Sequence, residues 1–252
     1  MKRFRTKQTE IQNLKEQREN LLSNNSSFYV REAYKTLRAN VRFSAPGSGC
    51  KRLCITSSIA GEGKSITALN LALSFAEAGQ KVLLIDADLR RPTMARLMIE
   101  NGAPGLSNIL AGLCSEEEAI RQQLHPNLDL LFSGEIPPNP SELLGSARME
   151  QLMSHLSERY DYILVDTPPI TIVSDACIVA SGMDGVLFVV RQDHSNWDAV
   201  GRGVNQLKIA GAKLLGFVLN GAKEQSGGYY HYRSEKYYES YGYNPKNPES
   251  EA

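Results

Sequence analysis

The segment that most constrains the fold is residues 52–75. Arg52-Leu-Cys-Ile-Thr-Ser57 is a short apolar run bounded by turn residues and reads as a buried strand. It enters Ser58-Ile-Ala-Gly-Glu-Gly-Lys-Ser65, and Ile66 to Phe75 then carries the composition of a helix. Strand, glycine loop and helix in that order are the context of a P-loop. Gly61 and Gly63 allow the backbone to turn its N–H groups inward around phosphate oxygens, and the helix that follows presents a positive N-terminus. Lys64 then reaches the β- and γ-phosphates, and Ser65 offers a hydroxyl to Mg²⁺. From average usage, GxGK[ST] arises by chance in a chain this long about one per cent of the time. The first glycine of the usual spacing is replaced by Ser58, which changes the subclass of loop and leaves the cradle intact.

The same alternation continues downstream. A helix is expected over 64–78, and strands over 81–86, 128–132, 162–166, 185–190 and 214–219, with helical segments between them. Crossovers of this kind give an α/β fold, a mostly parallel sheet with helices on both faces, whose ligands bind at the carboxyl ends of the strands. Acid stands at two of those ends. Val82-Leu-Leu-Ile-Asp86-Ala-Asp88 leaves two carboxylates one residue apart, and Tyr162-Ile-Leu-Val-Asp166 places a third where a Walker B aspartate belongs. All three are expected to converge on the metal and the γ-phosphate.

Upstream, residues 29–43 form an amphipathic helix. Val30, Ala33, Tyr34, Leu37 and Val41 are expected on its packed face, with Glu32, Lys35, Arg38 and Arg42 outside. A peripheral helix is expected over 11–22. The organisation is thus an N-terminal helix and linker (1–27), a nucleotide-binding domain (28–222) and a tail (223–252).

That tail has almost no aliphatic residue and cannot build a core, so it is expected to be mobile. Seven of the chain's eleven tyrosines lie in it: Tyr229, Tyr230, Tyr232, Tyr237, Tyr238, Tyr241 and Tyr243. Average composition places fewer than about one tyrosine in a stretch of that length. A contact strip is one reading of such a cluster. Next to a nucleotide site, a set of phosphoacceptors is another.

Lys and Arg total 28 and Asp and Glu total 28, so no bulk charge draws the chain to nucleic acid, and no nucleic-acid partner is expected. Cys50, Cys54, Cys114 and Cys177 show no metal-ligand spacing and no disulfide framework. No apolar run has the length to span a bilayer.

These motifs resemble those of the bacterial tyrosine kinases of capsular and extracellular polysaccharide synthesis, a deviant-Walker P-loop group related to the septum-site and partition ATPases. SSIAGEGKS is similar to the family's Walker A, LLIDADLRRP to its Walker A′ and ILVDTPP to its Walker B. Ala60 stands where the family usually has proline.

The resemblance implies ATP and Mg²⁺ as cofactors. It implies a nucleotide site of Ala60, Gly61, Glu62, Gly63, Lys64, Ser65 and Ile66, with Asn220 at the adenine edge. Ser65, Asp88 and Asp166 are implied around the metal, and Asp86 as acceptor of the tyrosine proton, so that Lys64, Asp86, Asp88 and Asp166 form the catalytic set. It further implies autophosphorylation of the tail in trans, and a homo-oligomeric ring through the 29–43 helix. The E-x-x-R-x-x-R pattern of that helix is matched by Glu32, Lys35 and Arg38, with lysine at the middle position.

The implied partners are a transmembrane polysaccharide co-polymerase-like activator and a cognate phosphotyrosine phosphatase, which place the chain in the cytoplasm at the inner face of the membrane. Two other readings compete. One is a switch ATPase of the partition or septum-site type, whose signature lysine would occupy the position of Ile59. The other is a nucleotide-dependent scaffold that transfers no phosphate.

Overall fold

The computed structural model describes residues 18–23 and 25–222. The basic N-terminal residues, most of the helix expected over 11–22 and the tail tyrosines lie outside the described residues. The chain divides into two compact units, Met1–Asn220 and Gly221–Ala252, and the first carries the sheet.

Its elements are α1 (Phe28–Ser44), β1 (Lys51–Ser57), α2 (Lys64–Glu77), β2 (Val82–Asp86), α3 (Met94–Met98), α4 (Leu106–Ala111) and α5 (Glu116–Ala119). There follow β3 (Ile120–His125), β4 (Leu128–Leu131), α6 (Pro140–Leu144), α7 (Ala147–Ser157) and β5 (Tyr162–Asp166). The last are α8 (Asp175–Ser181), β6 (Gly185–Arg191), α9 (Trp197–Ile209) and β7 (Leu214–Asn220).

The seven strands lie in the order β3-β4-β2-β5-β1-β6-β7. All neighbours are parallel except β3, which runs antiparallel to β4. Both faces of the sheet are covered, which is why its central strands read as continuous apolar runs. Alternate residues feed two cores. Cys54, Ile85, Val165 and Phe188 pack on one side with residues of α7, α8 and α9, while Ile55, Leu84, Leu164 and Val189 pack on the other with α2. Helix α2 is buried nearly all round, from Ser65 through Ala76, so it shows no polar stripe.

The six parallel strands match those expected, to within a residue or two at their ends. Strand β3 was not expected. Its Arg121-Gln-Gln core is polar, its register against β4 shifts between Arg121 and His125, and Gln123 adopts φ 54° with its N–H donated to Asp129. A bulged edge strand of this kind has no alternation to read.

The packed face of α1 also differs from expectation. Val30 is 40% exposed and Ala33 is exposed, whereas Val41 is buried. Arg38, expected to point outward, donates to the Ser74 carbonyl and, at 3.2 Å, to the Ser74 hydroxyl. The contact stripe therefore runs through Tyr34, Leu37, Arg38 and Val41. The guanidinium reaches across it to the carbonyl and hydroxyl of Ser74, near the C-terminal end of α2, where positive charge is favoured. Glu32 and Lys35 remain on the surface and pair with each other at 2.7 Å.

Among the described residues no helix is long and apolar enough to cross a membrane. All four cysteines are free thiols. Cys54 is fully buried on β1, and burial pushes its thiol up to about 12. Thiolate is the reacting form, so native protein at pH 8 should yield three slowly titrating thiols to a disulfide reagent, and the fourth only in guanidinium. Four thiols reacting at one rate in the folded protein would contradict this burial.

Candidate active site

The strand order brings three chain-distant segments to one place. β2, β5 and β1 are adjacent, with Asp86 opposite Asp166 and Asp166 opposite Ile55 in register. The loop after β1 and the two acidic strand ends therefore meet at the carboxyl edge of the sheet. Lys64 lies between them, its Nζ 3.3 Å from Asp88 Oδ2 and 3.4 Å from Asp166 Oδ2. The Ser65 hydroxyl donates to Asp166 Oδ2 at 2.5 Å and accepts from Thr93 at 3.2 Å. Asp86 accepts the N–H groups of Asp88 at 3.1 Å and Met94 at 3.2 Å. Asp88 in turn accepts the N–H of Arg91 at 3.0 Å.

Asp86 and Asp166 are wholly buried, and Asp88 is 5% exposed. Among the described residues, salt bridges to this trio come from Lys64 alone. One ammonium against three carboxylates leaves an excess of negative charge in a dry site, where it is costly. Burial, with the charge of Asp166 added, pushes the Asp86 carboxyl up to about 7. Burial also lifts Asp166, against the opposing pull of Lys64 and Ser65. Lys64 is held above the ordinary lysine value because Asp166, Asp88 and Asp86 outweigh its burial.

A divalent cation fits this imbalance. Among the described residues no group of three His, Cys, Asp or Glu side chains is arranged to enclose a metal.

The phosphate loop itself has Gly61 at φ 85° and Gly63 at φ 88°, a left-handed conformation that glycine adopts without penalty. The Glu62 side chain ties the start of the loop to the turn after β6. It is fully buried and accepts from Ser58 Oγ at 2.8 Å, from Ile59 N–H at 2.9 Å and from Ser195 Oγ. Asn220, at the end of β7, donates its amide to the Glu62 carbonyl at 2.9 Å, which places it against the loop. Glu32, Lys35 and Arg38 sit on α1, apart from this constellation.

Thr93, Arg191, His194 and Ser195 also bond to the loop or to its serine. They belong to no motif. The one sequence signal for them is position, at the end of β6 or in the segments that follow β2 and β6, where an open α/β sheet binds its ligands.

Comparison with known proteins gives the family. A sequence model of the AAA domain family matches residues 50–209. The tyrosine-protein kinase YwqD of Bacillus subtilis is 41% identical over 202 residues, covering 79% of this chain and 85% of that protein. The chain belongs to the bacterial tyrosine kinases. The kinase superimposes on the kinase domain of the Escherichia coli tyrosine kinase ETK with a TM-score of 0.75 and 35% identity, over 80% of this chain and 79% of that one. The septum site-determining protein MinD of Pyrococcus horikoshii, solved with Mg-ADP, is more distant at 25% identity and a TM-score of 0.59, covering 69% and 72%. The kinase thus shares a nucleotide-binding fold with the switch ATPases, and the switch-ATPase reading is not the favoured one.

Proposed function

We propose that the kinase transfers the γ-phosphoryl group of MgATP to tyrosines 229–243 of a neighbouring copy, and that this cycle regulates capsular or extracellular polysaccharide synthesis. The observation that carries the reading is the convergence of Lys64, Ser65, Asp86, Asp88 and Asp166 on one buried, over-acidic point beside a glycine loop.

In the transfer, the tyrosine oxygen forms a bond to the γ-phosphorus, the bond from that phosphorus to the β–γ bridging oxygen breaks, and ADP leaves. Such transition states are loose, so positioning and charge stabilisation dominate. Lys64 and the loop amides stabilise the phosphate oxygens. Ser65, Asp88 and Asp166 would hold Mg²⁺, which when bound supplies charge neutralisation at the phosphates. The phenolic proton passes to Asp86, a carboxyl raised to about 7 and so able to hold it at neutral pH. Asn220 edges the adenine.

The tail suits the acceptor role by composition, since seven of the chain's eleven tyrosines lie in it. Each phosphate adds up to about two negative charges. Several of them would repel the tail from an acidic site and loosen a ring built through α1. A transmembrane co-polymerase-like activator would hold the kinase at the inner membrane face, and a phosphatase would reset it.

Mass spectrometry after incubation with MgATP, with and without the activator's cytoplasmic fragment, should find phosphate on Tyr229 to Tyr243 and none in a variant with all seven changed to phenylalanine. ATP hydrolysis with every tail tyrosine unmodified under both conditions would replace this reading with a nucleotide switch.

A further inference from the structure

Three consecutive carbonyls of the phosphate loop are each held from outside by a side chain. The Ala60 carbonyl lies 3.0 Å from His194 Nε2, the Gly61 carbonyl accepts from Arg191 Nη1 at 3.0 Å, and the Glu62 carbonyl accepts from Asn220 Nδ2 at 2.9 Å. A carbonyl oxygen only accepts, so His194 carries its proton on Nε2. These donors come from β6, which pairs with β1, from the β6–α9 turn, and from the end of β7, the next strand out. The turn is itself braced. Arg191 N–H donates to Ser195 Oγ at 2.6 Å, Ser195 N–H donates back to the Arg191 carbonyl at 2.9 Å, and Ser195 Oγ reaches the buried Glu62 carboxylate.

A peptide unit that turns its C=O outward turns its N–H the other way. Fixing the carbonyls of residues 60, 61 and 62 therefore aims the amides of Gly61, Glu62 and Gly63 into the cradle. We propose that Arg191 and His194 are positioning residues for phosphate binding. Together with Asn220 they strap the loop, holding its amides in the inward arrangement before nucleotide arrives, so that binding does not have to order them. Gly61 supports the same reading from the other side, since a Cβ there would come within 3.2 Å of the His194 ring nitrogen.

The inference rests on residues 60–65 being the phosphate loop, and two measurements separate the two claims. The first uses ¹⁵N relaxation of the Gly61 and Gly63 amides in nucleotide-free protein. Arg191→Ala and His194→Ala should lower their order parameters, the double variant most. The second is ADP affinity by calorimetry, expected to weaken about fivefold per lost bond, with a melting temperature close to that of the parent because both side chains are exposed. His194→Gln keeps an N–H donor and should recover most of the loss.

Weaker ADP binding with unchanged amide order would mean that these side chains touch the ligand directly, and would overturn the strap. Unchanged affinity and unchanged order would overturn it as well. If Lys64→Met left ADP binding intact, the phosphate-loop reading would fail, whatever the relaxation data showed.

Discussion

Lys64→Met should reduce phosphate incorporation into the tail by at least about 100-fold, the usual scale for losing one preorganised group that stabilises transferring charge. The ammonium lies within 3.4 Å of both Asp88 and Asp166, with its side chain 12% exposed. Methionine preserves the length and packing of that side chain and removes its charge. Activity measured against a mock-treated control tests the expectation, and a variant retaining a tenth of parental transfer would sink it.

The same substitution has a signature in stability. Without Lys64, Asp88 and Asp166 lose the cation that pairs with them and Asp86 loses its nearby positive charge, and stranding buried charge is strongly destabilising. Asp86 and Asp166 already sit above the ordinary carboxylate value, and losing Lys64, which lowers both, raises them further. A carboxyl whose folded value is raised costs stability progressively as pH climbs from its unfolded value to its folded one, and the cost stays constant above that; raising the folded value further extends the loss to higher pH. In metal-free buffer the variant should therefore melt close to the parent at pH 6 and well below it at pH 8. An equal deficit at both pH values would mean that the carboxylates do not carry the penalty.

Gly63→Ala is expected to be nearly as damaging to nucleotide binding, by a different route. Gly63 has φ 88°, and a Cβ built on it would stand 1.9 Å from Asn220 Nδ2. The left-handed conformation costs a non-glycine residue about 1–2 kcal/mol. Displacing Asn220 also costs its bond to the Glu62 carbonyl, worth about 1 kcal/mol. The sum, about 2–3 kcal/mol, corresponds to a loss in ADP affinity of roughly 30- to 150-fold if the loop must recover its shape to bind.

Asn220→Ala in the Gly63→Ala background removes the collision and leaves the backbone cost. The double variant should therefore bind better than additivity from the two single variants allows. Parental ADP affinity in Gly63→Ala would show that the loop tolerates another backbone conformation.

Read from residues alone, the nucleotide site was legible to the extent that its chemistry is local. A strand, a glycine loop and a helix follow one another within 52–75, and the acids of Asp86, Asp88 and Asp166 stand directly after apolar runs. The unbroken apolar runs of strands buried on both faces also made the central parallel strands readable. β3 escaped because a bulged polar edge strand follows no period, and it is specified by its pairing with β4.

Arg38 shows the limit on helices. Its position suits a solvated face by charge, yet the packing of α1 on α2 turns it inward to the carbonyl and hydroxyl of Ser74, which only that contact supplies. The outer face of the phosphate loop shows the same limit. Arg191, His194 and Asn220 lie more than a hundred residues from the carbonyls they hold.

The sequence by itself determined that this chain forms a nucleotide-binding α/β domain with a lysine and a serine facing three strand-end acids. That information sits in short stretches whose backbone geometry is nearly obligatory. The tertiary structure alone decided how dry and over-acidic that site is, which side chains aim the loop's amides and where α1 packs. Desolvation and hydrogen-bond partnership depend on groups that the chain brings together only when the strands have found their order.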